Sequence, residues 1–286
     1  MKYAYFPGCS LHSMAAEYDH SVLEMCGRLG IEMNEIPDWN CCGASSAHST
    51  NHLLSLAIPA RNLSIAEEQG LDVVAPCAAC YQRLVTVQHE TRHDVKIKEK
   101  VNKVLGDRSY EAKNDVKSIL DVLVDYGIDN LAAKVEKPLQ GLKVASYYGC
   151  YLVKPPKICH VDDAENPMIM DKIMTALGAE AVQWPYKTEC CGGSLLLSNP
   201  DIVLKLGRDI LQVATDAGAN CIVTPCPLCQ PNLDTRQGQI NSKYGTDYKM
   251  PIFYISQLVA IALGSHKNNM KLHKHLIDPT ELLKVI

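Results

Sequence analysis

The sequence predicts an α/β protein that contains two copies of one structural unit. A pattern of five cysteines occurs twice, and in both halves short apolar segments alternate with segments of helical periodicity. Strands that alternate with helices usually form parallel sheets. We therefore expect a small parallel sheet flanked by helices in each half, and a pseudo-twofold axis that relates the two units.

The two cysteine patterns have nearly the same spacing. Each pattern consists of a single cysteine, an adjacent pair and a Cys-x-x-Cys motif. In the first pattern 31 residues separate the single cysteine from the pair and 34 separate the pair from the motif, and in the second these intervals are 39 and 34. The first pattern contains Cys9, Cys41, Cys42, Cys77 and Cys80, and the second contains Cys150, Cys190, Cys191, Cys226 and Cys229. From the adjacent pair onward the two series differ by a constant 149 positions. This register indicates an internal duplication, with extra residues early in the second copy.

The predicted strands place the cysteines together. Residues 2–6 and 142–148 are predicted strands that end just before the first cysteine of each pattern. Two further strands in each copy end before the cysteine pair and before the Cys-x-x-Cys motif, which is predicted to open a helix. Because ligands collect at the carboxyl ends of parallel strands, we expect the thiols of each half at one sheet edge. Pro59 is expected to break or kink the helix that contains it.

The predicted boundary between the units follows residue 140. Residues 1–140 then form the first unit, with a helical linker region at its end, and residues 141–286 form the second. The linker region, residues 92–140, is rich in charge, and a docking surface for a partner is the alternative interpretation. The tail, residues 265–279, is polar and basic, contains three histidines and is predicted to lie on the surface.

The composition excludes several classes of protein. Apolar residues make up 47% of the chain and charged residues 21%, which is typical of a globular protein with a core. The net charge of −4 does not indicate a nucleic-acid partner. No apolar run is long enough for a transmembrane segment and no secretory leader is recognisable, so we expect a cytoplasmic protein. Neither a G-x-G-x-x-G nor a P-loop pattern occurs, so electrons must come from a partner.

The thirteen cysteines indicate metal binding or redox chemistry, because disulfide frameworks are rare in reducing compartments. A Cys-x-x-Cys pair is typical both of a redox-active dithiol and of half a zinc site. Structural zinc and a cubane iron–sulfur cluster each take four ligands, whereas each half offers five cysteines. An iron–sulfur cluster of unusual shape would accept the extra thiolate. Glycines beside the cysteines would let backbone N–H groups approach such an anionic ligand.

The cysteine pattern resembles that of the cysteine-rich CCG domain. The tandem arrangement and residues 160–178 are similar to the family of B-type subunits of heterodisulfide reductase from methanogenic archaea. The resemblance implies a noncubane [4Fe-4S] cluster in each half, held by the five cysteines of that half. It implies reductive cleavage of the mixed disulfide of coenzyme M and coenzyme B, in methanogenesis. It also implies two partners in a multi-subunit complex, a small C-type iron–sulfur subunit and an A-type flavin-containing subunit.

The implied substrate suggests further site residues. Its sulfonate, phosphate and carboxylate groups require cations and hydrogen-bond donors near the clusters. Candidates close to the cysteines in sequence are Lys154, Lys187 and Tyr151, followed by Arg83, Arg236 and Tyr148. His160, next to Cys159, is the candidate proton donor. Two clusters that face each other would each take one sulfur of the disulfide, because its cleavage needs two electrons.

Two other functions are compatible with the pattern. One is an electron-transfer iron–sulfur subunit of a lactate or glycolate oxidase type complex, whose relatives also carry CCG domains. The other is an interaction module stabilised by zinc. The presence of all five cysteines in both halves favours disulfide reduction. A disulfide-reductase assay distinguishes disulfide reduction from electron transfer alone. Metal analysis distinguishes an iron–sulfur protein from a zinc-stabilised module. Cys26 and Cys221 lie in predicted elements and are expected to be buried structural residues.

Overall fold

The computed structural model describes residues 1–44 and 46–285, which contain two four-stranded sheets. The strands of the first sheet are β1 (Lys2–Tyr5), β2 (Glu32–Glu35), β3 (Val73–Val74) and β4 (Val116–Lys117), and those of the second are β5 (Lys143–Ser146), β6 (Glu180–Ala181), β7 (Cys221–Thr224) and β8 (Ile252–Tyr254). All pairings are parallel. The orders β2-β1-β3-β4 and β6-β5-β7-β8 correspond, which confirms the predicted α/β fold with two duplicated units.

Helices connect and flank the strands. The first half contains α1 (Gly8–Leu11), α2 (Ala16–Leu29), α3 (Ala47–Thr50), α4 (His52–Glu68), α5 (Ala78–His93), α6 (Val95–Leu105), α7 (Ile119–Tyr126) and α8 (Ile128–Ala132). The second half contains α9 (Ile169–Ala176), α10 (Pro200–Asp216), α11 (Cys229–Thr235), α12 (Gln237–Tyr244) and α13 (Ile255–Ala262). In the described residues, no helix is long and apolar enough to cross a membrane.

The sequence predicts three strands in each half, whereas the structure has four. The fourth strand of the first half, β4, lies inside residues 92–140, the predicted linker region. This region therefore supplies an edge of the first sheet, through the pairing of β4 with β3. Its charged part forms α6, as predicted. The boundary after residue 140 stays a prediction.

Helix α4 continues through Pro59 without a break. A proline inside a helix costs about 3 kcal/mol, because it removes one backbone hydrogen bond and crowds the preceding turn. Residues on both sides of it, including Leu56, Ala60 and Leu63, are buried in the core. Tertiary packing of this face therefore outweighs the local cost.

The two halves meet through α2 of the first half and α13 of the second. The Tyr18 ring stacks on Tyr254, with ring centroids 4.2 Å apart and planes 6° from parallel. The buried Tyr18 hydroxyl donates to the carbonyl oxygen of Pro225 at 2.9 Å, and the carbonyl oxygen of Pro76 lies 3.2 Å away. Pro76 and Pro225 directly precede Cys77 and Cys226. One side chain thus joins the two Cys-x-x-Cys turns.

The C-terminal tail is more buried than its composition predicts. Met270 and Leu272 pack into the core, and His275 is only 8% exposed. The His275 Nε2 atom lies 3.0 Å from the amide nitrogen of Gln257, and Nδ1 lies 3.4 Å from that of Gln230. Burial lowers the pKa of His275 from 6.5 to about 4. The surface prediction for residues 265–279 is therefore wrong for these three side chains.

His275 is expected to make the folded state sensitive to acid. Its pKa is depressed by folding, so between pH 6.5 and about 4 the unfolded chain binds a proton that the folded chain excludes. The free energy of unfolding should therefore fall as pH falls through this window, by about 3 kcal/mol in total. Chemical denaturation at pH 7 and pH 4.5 measures it. The His275→Gln variant should lose this part of the pH dependence, whereas His273→Gln, at an exposed position, should keep it. Equal pH dependence in all three proteins would contradict the assignment.

Candidate functional site

The ten predicted ligand cysteines lie just beyond the carboxyl ends of three strands in each sheet. In the first half, Cys9 lies in α1 after β1, the adjacent pair follows β2, and the Cys-x-x-Cys follows β3. The second half repeats this placement after β5, β6 and β7. Cys77 caps the N-terminus of α5, as predicted, whereas in the second half the helix begins only at Cys229. Each half therefore brings its five thiols to one sheet edge.

Glycines let the backbone pass close to the thiols. Gly8 and Gly149 both have φ of +67°, in the left-handed region. A Cβ atom on Gly8 would lie 2.9 Å from the Cys80 sulfur, and one on Gly149 would lie 3.1 Å from the Cys229 sulfur. These are sterically close approaches, so only glycine combines this conformation with this proximity.

The thiols of each half are close to one another. The Cys42 and Cys80 sulfurs are 3.3 Å apart, and those of Cys9 and Cys41 are 3.9 Å apart. In the second half, the Cys191 and Cys229 sulfurs are 3.5 Å apart. All ten cysteines are free thiols.

The surroundings favour negative charge on some of the sulfurs and raise the pKa of the cysteines that donate hydrogen bonds to them, which are Cys41, Cys80, Cys150 and Cys229. Hydrogen bonds from the Cys41 and Cys80 thiols lower the pKa of Cys42 to about 4, assisted by a backbone N–H group and by the positive charge of Arg83. A hydrogen bond from Cys150 lowers the pKa of Cys190 to about 6. The Gly192 N–H group also donates to the Cys190 sulfur, at 3.3 Å. Thiolates are the forms that bind metal ions.

The two halves also approach each other through a sulfur. The pKa of Cys226 is lowered by hydrogen bonds from Cys229 first, and then from backbone N–H groups that include that of Ala78. Ala78 belongs to the first half and directly follows Cys77. The two cysteine sets are thus adjacent at the interface between the units.

A cavity of about 340 Å³ lies over the second cysteine set. All five second-half cysteines line it, and helix α5 of the first half closes it with Ala78 and Gln82. Apolar residues such as Leu228 and Pro155 complete the walls. Among the described residues that line this cavity, every cysteine belongs to the second set. The cavity therefore needs residues from both halves.

The structure brings some of the predicted substrate residues to this cavity. Lys154, Tyr151 and Tyr148 line it. The Tyr148 hydroxyl accepts a hydrogen bond from the backbone N–H of Met170 at 2.6 Å and donates to the Asp162 carboxylate at 3.5 Å, so only its ring is available. Burial raises the pKa of Tyr151 above its ordinary value of 10, which keeps its hydroxyl protonated near neutral pH.

Other predicted residues lie elsewhere. Lys187 is buried, and its ammonium group forms an ion pair with Asp171 at 2.9 Å. The Lys187 side chain thereby holds α9 against the loop before Cys190, away from the cavity lining. His160 is exposed and does not belong to the described residues that line the cavity. Arg236 donates to Gln239 on α12.

The remaining three cysteines are buried. Cys26 lies in α2 and Cys221 in β7, in agreement with the structural role expected for them. The Cys159 thiol faces the carbonyl oxygens of Lys154 and Tyr151, at 3.5 and 3.7 Å. Burial raises the pKa of Cys159 to about 12, so this thiol is neutral.

Sequence reasoning missed Gln82 as a cavity residue. Its amide oxygen is buried and has no hydrogen-bond partner within the described structure. Gln82 lies one turn beyond Ala78 on the same helix, and its contact with the other half arises only from the docking of the two units. No sequence signal marks it.

The donor set fits an iron–sulfur cluster in each half. Each half offers five thiols and N–H groups beside sulfur, with a lowered pKa at Cys42 in the first half and at Cys190, Cys191 and Cys226 in the second. Such groups hold and tune these clusters. The close approach at Gly8 and Gly149 keeps this space free of side chains. Among the described residues, no three histidine, cysteine or carboxylate side chains are arranged around a single metal ion.

Comparison with known proteins identifies similar sequences over the whole chain. The family of the cysteine-rich domain CCG matches residues 3–84 and 144–234. The 8-methylmenaquinol:fumarate reductase membrane anchor subunit of Wolinella succinogenes is 36% identical, over 98% of this chain and 99% of the relative. The B-type subunit of the ferredoxin:CoB-CoM heterodisulfide reductase of Methanosarcina mazei is 30% identical, over 100% and 97%.

A solved structure has the same fold. The crystal structure of a hypothetical protein from Helicobacter pylori superposes with a TM-score of 0.79 at 14% sequence identity. The match covers 97% of this chain and 52% of that one, so this chain spans about half the length of the solved protein.

Substitution of Gly8, compared with a second glycine of similar φ, should show whether Gly8 is needed to keep space beside the cysteine sulfurs. Gly8→Ala is expected to lose about 1–2 kcal/mol of stability because of its positive φ, and to displace the Cys80 sulfur as well. Reconstituted with iron and sulfide, the variant should bind about half the iron of the unaltered protein.

Gly30→Ala is the matched control. Gly30 has φ of +70°, but a Cβ atom there meets nothing within 4 Å. It should lose similar stability, measured by denaturation, and keep its full iron content. Equal iron content in both variants would contradict a role for Gly8 at the cysteine set.

Proposed function

This chain belongs to the cysteine-rich CCG family and resembles the B-type subunits of heterodisulfide reductases, and we propose that it is the disulfide-cleaving iron–sulfur subunit of a reductase complex. Each half would hold one noncubane [4Fe-4S] cluster on its five cysteines. The proposed substrate is the mixed disulfide of coenzyme M and coenzyme B, which would be reduced to two thiols. The observation that carries the proposal is the cavity lined by one complete cysteine set, which would hold a cluster beside Lys154 and Tyr151.

The cavity supports binding of a small disulfide. Its volume of about 340 Å³ is at the lower end of the range for small-molecule sites, and a cluster on the five cysteines would occupy part of it, so the disulfide would bind in the remaining space and at the opening of the cavity. Its walls are mainly apolar, which suits the alkyl chains on both sides of a disulfide. Lys154 lies at the exposed side, where it can bind an anionic end group. The combination of apolar walls and one cation is typical of a site that orients an amphipathic anion.

The residues around the cavity can prepare the disulfide for cleavage. Bound at the cysteines, an iron–sulfur cluster would supply electrons one at a time, and an iron atom able to accept a sulfur ligand. The overall reaction takes up two electrons and two protons, breaks the S–S bond and releases two thiols. Lys154 would hold the substrate and Leu228 and Pro155 would exclude water. The Tyr151 hydroxyl, which stays protonated, would donate a hydrogen bond to a developing thiolate.

The cavity favours an unequal role for the two cysteine sets. The sequence alone suggests that each set would take one sulfur of the substrate. In the described structure the cavity is lined by the second set alone, so we propose that the disulfide binds there. The first set, whose Cys9 and Cys41 are exposed, would receive electrons from a partner. The C-type iron–sulfur protein and the A-type flavoprotein remain the proposed partners, and His160 remains a proposed proton donor outside the lining.

The second candidate function is electron transfer without disulfide cleavage. It is favoured by the 36% identity to a component of a menaquinol:fumarate reductase, over nearly the whole length of both chains. The same cysteine sets would then pass electrons between partners, as in the lactate or glycolate oxidase alternative. The cavity over the second set would then hold the cluster alone.

Metal analysis and a turnover assay test the proposal. Protein purified without oxygen should contain about eight iron atoms and about eight acid-labile sulfides per chain. With a reduced viologen dye as electron donor, it should convert the mixed disulfide to two thiols. Cys191→Ala should abolish turnover, whereas Cys26→Ala, a buried cysteine outside both sets, should not. Full iron content without turnover would support the electron-transfer candidate, and zinc without sulfide would contradict both.

Lys154 is expected to contribute to binding of the anionic substrate. An exposed ion pair is worth up to about 1 kcal/mol, so Lys154→Gln should raise KM about fivefold and leave kcat nearly unchanged. The effect should shrink in about 1 M salt, where charges are screened. Lys157→Gln, an exposed lysine in the same loop that does not belong to the described cavity lining, should have an unchanged KM. Equal KM values for both variants would contradict the role of Lys154.

A further inference from the structure

Two histidines lie side by side at the C-terminal end of helix α5. His89 and His93 are four positions apart, and the helix ends at His93. Side chains at this spacing are neighbours on a helix surface. The two imidazole rings are in contact, with centroids 4.4 Å apart and planes tilted by 34°. Neither histidine belongs to the two cysteine sets or to the cavity lining described above.

The local sequence has the spacing of a known type of metal site. Residues 89–93 are His-Glu-Thr-Arg-His, which matches the H-E-x-x-H pattern, in which two histidines on one face of a helix bind zinc. So short a pattern also occurs by chance, and the positions of the ring nitrogens are the stronger observation. Glu90 has a different neighbour, because its Oε2 atom lies 3.3 Å from the Nε2 atom of His52 at the start of α4.

The His93 ring is oriented by the helix backbone. Its Nδ1 atom lies 2.7 Å from the carbonyl oxygen of His89. A carbonyl oxygen can only accept, so Nδ1 carries the proton and Nε2 carries the lone pair of the neutral ring. Metal-binding histidines usually donate their second N–H in this way, which fixes both the ring and the tautomer. His93 is exposed, so an ion can reach its Nε2 atom from solvent.

The surroundings of His89 keep its ring neutral, as a metal ligand must be. Partial burial and the neighbouring His93 lower the pKa of His89 below its ordinary value of 6.5. The positive charges of His160 and Lys157, in the second half, act in the same direction, and the charge of Glu90 opposes them. His160 and Lys157 are both exposed, so water screens their repulsion of a bound cation.

We propose that His89 and His93 bind one divalent transition-metal ion, of the class that imidazole ligands suit, Ni²⁺, Cu²⁺ or Zn²⁺. The negative end of the α5 dipole lies at these residues and favours a cation there. Among the described residues, no third histidine, cysteine or carboxylate side chain is arranged around the same point, so water would complete the coordination. A catalytic zinc ion has three protein ligands, so the inference covers binding and not hydrolysis. The site is independent of the proposed function.

A bound ion would stabilise the helix that covers the cavity. Ala78 and Gln82, at the start of α5, line the cavity, and the two histidines lie at the other end of the same helix. An ion that binds the folded chain more tightly than the unfolded chain raises the stability of the folded state. The folded helix holds the two rings together, whereas the unfolded chain does not.

Equilibrium dialysis against NiCl₂ tests the site. The protein is purified without oxygen and without an affinity tag, so that it retains its own cofactors, and the nickel bound per chain is measured. His89→Gln and His93→Gln should each bind one nickel ion fewer than the unaltered protein. His52→Gln, which removes the neighbour of Glu90, and His273→Gln, at an exposed position far along the chain, are the matched controls and should lose none. Because the variants share the same cysteines, their difference in nickel does not depend on whether clusters are present.

Thermal unfolding followed by circular dichroism provides a second measurement. Without nickel, all four variants should melt at nearly the temperature of the unaltered protein, since the replaced side chains lie at least partly in solvent. Added NiCl₂ should raise the melting temperature of the unaltered protein and of the two controls more than that of His89→Gln or His93→Gln. The inference is overturned if these two variants bind as much nickel as the unaltered protein, or if only His52→Gln loses the ion, which would place it at Glu90. Absence of iron and sulfide would contradict the proposed function and leave this comparison intact.

Discussion

The arrangement of the site depends on one buried hydroxyl group at the interface between the units. Tyr18 bridges the carbonyl oxygens of Pro76 and Pro225, which precede the two Cys-x-x-Cys motifs, and its ring is held by stacking on Tyr254. Removing a partner from a buried polar group costs the full desolvation of that group, so the contact has little freedom to shift. Because the two carbonyl oxygens directly precede Cys77 and Cys226, this contact ties the two Cys-x-x-Cys turns, and with them the start of α5, to each other.

The location of the thiols could be predicted from the sequence, because parallel strands expose their carboxyl ends at one edge and the cysteine spacing repeats in register. The fourth strand of each sheet could not be predicted. In the first sheet this strand, β4, has only two residues, and only its pairing with β3 identifies it as a strand. The positions of Lys187 and His275 were also missed. Both are polar residues whose partners, Asp171 and Gln257, are brought to them by tertiary packing. Local composition contains no information about such partners.

The cavity shows that two units with the same cysteine pattern can have different surroundings. The cysteines repeat, but the residues that surround them do not: Gln82 and Arg83 of the first half are replaced by Pro231 and Asn232 in the second. The start of α5, with Ala78 and Gln82, lies across the interface and closes the cavity over the cysteines of the other half. A repeated cysteine pattern thus coexists with unequal access and unequal charge.

Residues of both halves line the cavity, and this bears on how such a chain could have evolved. A single-unit ancestor would have had its own thiols but would have lacked the helix of a neighbour to cover them. Two identical copies could supply that helix to each other, in a symmetric dimer with two equivalent sites. Any mutation in such an ancestor alters both sites at once. In a fused chain each copy can change separately, which would allow one site to adapt to the proposed substrate and the other to the proposed delivery of electrons.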